Sequence, residues 1–258
     1  MKKPEWLNIF NDNTKDSTPF KGGLEQADFT SRTYIKQLRQ CPEKIVKLSS
    51  RELAVPGKEK LDERLRQYQR GRELFYELRN KYGINVPEIQ YVVGEDEGQI
   101  RIFTITDRID GHDLGHIKTY ETDLRAKEVD GLFGKIVDYY AAKFASGEEF
   151  LWDTTGGLQF VYGTNRAHPK INSQGLPQKE LYLIDFDPRY TGRPSEIFDC
   201  LDDIVENIRE VEGVFMAELS GAREKLLKFL GSIAEDNPHY WRAVNLSKKI
   251  GKRKELAA

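Results

Sequence analysis

A chain of 258 residues with 38% hydrophobic and 32% charged side chains is long enough to bury a full core, either as one large domain or as two lobes sharing a cleft. Its 40 basic residues nearly balance 42 acidic ones, for a net charge of −2, which argues against the broad positive footprint of a nucleic-acid or anionic-membrane binder. The opening MKKPEWLNIFNDN has two lysines but no apolar h-region, and no stretch approaches the ~20 apolar residues of a membrane span. Cys41 and Cys200 lack a C-x-x-C spacing, so the expectation is a cytoplasmic protein without a disulfide framework or zinc site.

In chain order, Gly22-Gly23 precede Phe29, Tyr34 and Ile35 in what reads as a hairpin, followed by the alternating strand Lys44-Ile45-Val46-Lys47-Leu48-Ser49. Leu61, Leu65, Tyr68, Phe75, Leu78 and Tyr82 form one apolar face of a helix over 58–82, which Gly83 ends. Segments 84–93 and 99–105 read as strands around the turn-rich 94–98. The polar Asp107-Arg108-Ile109-Asp110-Gly111-His112-Asp113-Leu114 reads as a connector, with His112 and His116 as surface histidines. Beyond it, Val129, Leu132, Phe133, Ile136, Val137, Tyr140, Ala141 and Phe144 mark an amphipathic helix closed by Ser146-Gly147. A loop over 153–159 leads into a hairpin of 158–162 and 181–184, whose long polar connection is 163–179. Helices over 195–211, 214–230 and 237–249 follow, the last opened by Asn237-Pro238, and then the basic tail Lys252-Arg253-Lys254.

The most telling stretch is Leu181-Tyr182-Leu183-Ile184-Asp185-Phe186-Asp187-Pro188, an apolar run that stops at two carboxylates and a proline. A buried strand that delivers carboxylates at its end suits Mg²⁺, which takes hard oxygen ligands on a rigid support over a polyphosphate. Taken alone, the same residues also fit a strand followed by an Asp-Pro turn.

This order resembles the protein-kinase-like fold, and within it the aminoglycoside phosphotransferase and choline kinase type of small-molecule kinase: a small sheet with a lysine strand, a long helix, more strands, a connector, a helix, an Asp loop, a hairpin, Asp-Phe-Asp, and then helices. The resemblance covers roughly residues 20 to 245. It implies a two-lobed α+β fold, with an antiparallel-sheet N-lobe over 1–106, a hinge over 107–114 and a helical C-lobe over 115–258. It further implies that Lys47, in Ile45-Val46-Lys47, grips the phosphates of ATP and that Glu73 holds that lysine, with Glu63 and Glu77 as rivals. Asp107, Arg108 and Ile109 would offer backbone groups to the adenine edge. Asp153 would be the catalytic base, and Asp185 would bind Mg²⁺ from the place of the first residue in Asp-Phe-Gly. Gly22-Gly23 would supply only part of a nucleotide lid, since no G-x-G-x-x-G is present.

The catalytic loop departs from the family pattern. Leu151-Trp152 precede Asp153 where His-Gly or His-Arg is expected. The metal-binding asparagine position holds Leu158, with Gln159 one residue later as the second expected metal ligand. Only Pro188 to Pro194 separate Asp187 from the next helix, too little for the activation segment of a protein kinase. The expected substrate is therefore a small molecule presenting a hydroxyl to Asp153, and the oligomeric state is left open. Two alternatives stand beside this expectation: a pseudokinase that binds without turnover, and a metal-dependent hydrolase built on Asp153, Asp185 and Asp187 that has no need of Lys47.

Overall fold

The computed structural model describes residues 34–37, 41–48, 58–96, 99–115, 117, 124–152, 154, 159–185 and 191–251. Gly22-Gly23, His116 and the basic tail lie outside them. The chain is an α+β protein built from helices and small antiparallel sheets. Strands β1 (Tyr34–Gln37), β2 (Lys44–Leu48), β3 (Ile89–Asp96) and β4 (Gln99–Asp107) form a four-stranded sheet in the order β1-β2-β4-β3, antiparallel throughout. The strict alternation in β2 sends Val46 to one face, where it packs with Phe103 and Ile105, and Lys47 to the other. Helix α1 (Lys58–Tyr82) packs by its apolar face, burying Tyr68, Leu74, Phe75 and Leu78. Tyr68 meets Tyr91 of β3 edge-on at 4.7 Å, and the Tyr76 hydroxyl accepts from Ile89 N at 2.9 Å.

The helix bounds fall where the apolar spacing predicts, and Gly83 ends it with φ 63°. The following strand starts later than expected. Ile84 and Val86 are buried in the main core instead of joining the sheet, because Pro87 has no N–H to give a ladder. Asn85 crosses over to the later hairpin: its side-chain amide donates to Leu181 O at 3.2 Å, and its carbonyl accepts from Leu183 N at 2.9 Å.

Residues 107–114 are also corrected by the structure. They do not form a plain connector, because Ile109–Asp113 is strand β5, paired with β7 (Phe160–Asn165), which in turn pairs with β8 (Glu180–Leu183). Polarity hid this strand. What permits it is a glycine pair in register, Gly111 opposite Gly163, where a Cβ on either would collide with the facing backbone. One face of the three-stranded sheet sends Phe160, Tyr162 and Leu183 into the main core. The opposite face carries Ile109, Val161 and Tyr182 in a separate small cluster with Ile184 against it.

The main core is helical. Helix α2 (Ala126–Ser146) contributes Val129, Phe133, Ile136, Val137, Tyr139 and Tyr140. It ends at Gly147 in the left-handed region. Strand β6 (Phe150–Leu151) pairs with β9 (Thr191–Gly192). A single 3-10 turn, Pro194–Glu196, then leads into α3 (Ile197–Phe215), α4 (Ser220–Gly231) and α5 (Tyr240–Gly251). Among the described residues no helix is long and apolar enough to cross a membrane.

Two buried ion pairs fasten these helices. Arg223 forks onto Glu212 through Nε (2.7 Å) and Nη2 (2.6 Å), and its Nη1 reaches Ile250 O in α5 at 3.0 Å. Lys143 of α2, with a side chain 3% exposed, donates to Glu77 of α1 at 2.7 Å and to Glu148 at 3.0 Å. Burial pushes the Glu77 carboxyl up, but the hydrogen bonds from Lys143 and Lys81 outweigh it and hold the group below its ordinary value. A carboxyl depressed in the folded state stabilises above its unfolded pKa, and that stabilisation is lost as pH falls through the folded value. Glu77→Gln is thus expected to cost about 1.5–3 kcal/mol at neutral pH. The difference from the parent protein should shrink steadily below about pH 4.3. Urea unfolding of both proteins at pH 7, 4 and 3 checks this, and a gap that persists at pH 3 would mean that the charge on Glu77 contributes nothing.

Candidate functional site

Lys47 and Asp185 lie 138 positions apart in sequence and meet in space. Lys47 is 9% exposed. Its ammonium donates to Ile184 O at 2.8 Å and lies 3.5 Å from Asp185 Oδ1. The Asp185 side chain is 56% exposed, so the carboxylate faces outward while the lysine stem is held within. Each position follows from local structure. The alternation of β2 puts Lys47 on the α1 side of the four-stranded sheet, and Asp185 stands two residues beyond the end of β8.

Lys47 has Thr104 as its neighbour on β4, and Ile45 has Thr106. Lys47 and Thr106 therefore share a sheet face. Thr106 is 3% exposed, and its hydroxyl is buried without a partner among the described residues. No sequence signal marks this group, since a threonine in a strand is ordinary and only the absence of a partner singles it out.

The three residues expected at a hinge divide. The Asp107 carboxylate is fully buried and serves the fold: it takes the ammonium of Lys44, the N–H of Glu88 at 3.1 Å and the side-chain amide of Asn165 at 2.9 Å. Its own N–H goes to Glu88 O. Arg108 gives its N–H to Glu43 O at 2.8 Å and its carbonyl to Arg166 N at 2.9 Å, while its guanidinium holds Asp110 at 2.6 Å. Ile109 differs. Arg108 and Leu114 occupy hydrogen-bonded positions of the β5–β7 ladder. By alternation the N–H and C=O of Ile109 then point to the outer edge of the three-stranded sheet. Of the three, Ile109 has its backbone groups directed away from β7.

Glu73 requires a correction. It is 54% exposed and engages Arg70 at 3.5 Å instead of Lys47. Spacing along the chain selected it, but on α1 the inward positions are Leu74, Phe75 and Leu78. Of the rivals, Glu77 is committed to Lys143 and Lys81, and Glu63 is exposed. Carboxylate contact to Lys47 comes from Asp185.

Gln159 is buried, and its carbonyl accepts from Ile184 N at 2.8 Å. The β7–β8 register thus runs on to set Gln159 opposite Ile184, one residue away from Asp185. Asp153 lies outside the described residues, but both its chain neighbours lie within them and are tied to α2. Tyr140 Oη sits 3.1 Å from Trp152 O and 2.6 Å from Thr154 Oγ1. No group of three or more His, Cys, Asp or Glu that could hold a metal ion is present among the described residues. One outward carboxylate beside a lysine matches the sparse protein donor set that Mg²⁺ uses when phosphates and water complete its shell. No protein-family model and no curated protein sequence matches this chain.

Proposed function

We propose that the chain is a two-lobed, kinase-like phosphotransferase that moves the γ-phosphoryl group of ATP, with Mg²⁺, to a hydroxyl of a small molecule. The observation that carries the reading is the meeting of Lys47 with Asp185. A cation on a sheet strand beside a carboxylate at a strand end is what a metal-bound triphosphate requires, and a hydrolase built on Asp153, Asp185 and Asp187 has no use for it.

In this reading Lys47 neutralises nucleotide charge in a direction fixed by β2. Asp185 would hold Mg²⁺, which would supply positive charge to offset the charge that develops on the phosphates. Gln159, buried one residue out of register with Asp185, is the second ligand the sequence offers. The Ile109 edge and the apolar face of Ile109, Val161 and Tyr182 suit a flat base with a hydrogen-bonding rim, and Thr106 adds an unengaged hydroxyl on the sheet face that carries Lys47. Asp153 accepts the proton of the acceptor hydroxyl. The short run from Asp187 to the turn at Pro194–Glu196 leaves little platform for a polypeptide, which favours a small acceptor.

A pseudokinase is the second reading. What favours it is that Glu73 leaves Lys47 for Arg70 and that Trp152 and Leu158 replace the usual loop residues. Calorimetric titration with ATP, with and without Mg²⁺, followed by an assay for ADP across a panel of hydroxylated acceptors, separates the readings. The expected result is Mg²⁺-dependent binding and acceptor-dependent ADP release. Binding without ADP would leave the pseudokinase, and acceptor consumed without ATP would leave the hydrolase.

A further inference from the structure

Two consecutive residues of α2, Tyr139 and Tyr140, are fully buried, yet each has a hydroxyl to satisfy. Phenylalanine would fill the same core volume without the cost of burying a hydroxyl. Both hydroxyls are spent on one short segment. Leu151 N donates to Tyr139 Oη at 2.8 Å. Tyr140 Oη lies 3.2 Å from Leu151 O, 3.1 Å from Trp152 O and 2.6 Å from Thr154 Oγ1. The single phenol proton serves the carbonyls, so the Thr154 hydroxyl donates to Tyr140 Oη. The Trp152 carbonyl also accepts from Thr154 N at 3.1 Å and from Cys200 Sγ at 3.6 Å. Thr154 is 1% exposed, so water does not compete for these bonds. Burial, foremost, holds the Tyr140 hydroxyl far above its ordinary pKa, and it stays a donor at any working pH.

We propose that Tyr140 is a positioning residue: it fixes the backbone at Trp152 and Thr154, which flank in sequence the residue that the phosphotransferase reading makes the base. The consequence for turnover rests on the phosphotransferase reading, whereas the hold on Trp152 and Thr154 does not. Tyr140 has no route to the nucleotide through these bonds, so its loss should be felt in the chemical step alone.

The test is Tyr140→Phe and Thr154→Val, singly and together, with four readouts: kcat, KM for ATP, Mg-ATP affinity, and hydrogen exchange at the amides of Leu151 and Thr154. The expected result is a fall in kcat of about tenfold to a hundredfold, because small misplacements of a reacting group cost on that order. KM for ATP and Mg-ATP affinity should stay within about twofold. The double variant should be no worse than the poorer single one, since both remove the same hydrogen bond, and the two amides should exchange faster. A lowered melting temperature with kcat and exchange unchanged would overturn the proposal by making the role merely structural. If the parent protein shows no turnover, the phosphotransferase reading fails. Faster exchange at Leu151 and Thr154 with the rest of the chain unaltered still supports the hold, and unaltered exchange overturns it. Should Tyr140→Phe fail to fold, Thr154→Val reads the other end of the same bond, and parental kcat and exchange in that variant overturn the proposal.

Discussion

Asp185→Asn is expected to weaken Mg-ATP binding and phosphoryl transfer together, whereas Asp153→Asn should abolish transfer and leave Mg-ATP binding in place. The two carboxylates have different work in the proposed mechanism. There Asp185 would hold the metal ion, and it sits 3.5 Å from Lys47, so neutralising it would remove an anionic ligand and unbalance the lysine at once. Loss of even an outer-shell partner lowers metal affinity by roughly 10–100-fold, and loss of a direct ligand should do at least as much. In that mechanism Asp153 would act on the acceptor hydroxyl alone, and a positioned base contributes about 10²–10⁴-fold. Titration calorimetry and an ADP assay on both variants give the two axes. Nucleotide binding unmoved by Asp185→Asn would count against the whole site assignment.

Asp107→Ala should produce the largest loss of stability of any single change considered. The carboxylate has no exposed surface and joins three parts of the chain: Lys44 on β2, the N–H of Glu88 ahead of β3, and Asn165 at the end of β7. Truncation strands a half-buried ammonium and a backbone donor at once. Breaking a buried pair from one side costs about 3–5 kcal/mol, which for a chain of this size corresponds to a fall in melting temperature of roughly 6–20 °C. Thermal unfolding followed by circular dichroism measures it. A shift of only a degree or two would mean that Asn165 and Glu88 find other partners without cost.

The helices and the lysine strand were legible because their signals are periodic. The apolar spacing of 58–82 and the alternation of 44–49 report directly which residues face a core; the structure returns the helix bounds and a strand over Lys44–Leu48, with Ser49 outside the described residues. Strand β5 was hidden, since Asp110, Gly111 and His112 look like a loop until Gly163 is known to lie across from Gly111. Glu73 failed for a geometric reason: distance along the chain does not say which side of a helix a residue occupies, and Glu73 stands beside Leu74 on the turn facing outward. Asp185 was readable because an apolar run that ends in a carboxylate is an abrupt local event. Tyr140 was seen only as a core position. The signal present was tyrosine in place of phenylalanine in an apolar stripe, but its partners are 12 to 14 residues further on, and no local pattern names them.

The reach of Asn85 bears on how the chain is assembled as it is synthesised. Its side-chain bond to Leu181 spans 96 positions, and its carbonyl waits for Leu183. At ribosomal speeds the partner emerges on the order of 5–20 s after Asn85 itself. During that interval α1 and the four-stranded sheet exist without the hairpin that anchors the turn between α1 and β3, and Ile84 and Val86 have no finished core to enter. Contacts so far apart in sequence also slow the search once the whole chain is free. The nascent first half is therefore the aggregation-exposed stage of this protein's life, and it is the stage at which a chaperone would find apolar surface to hold.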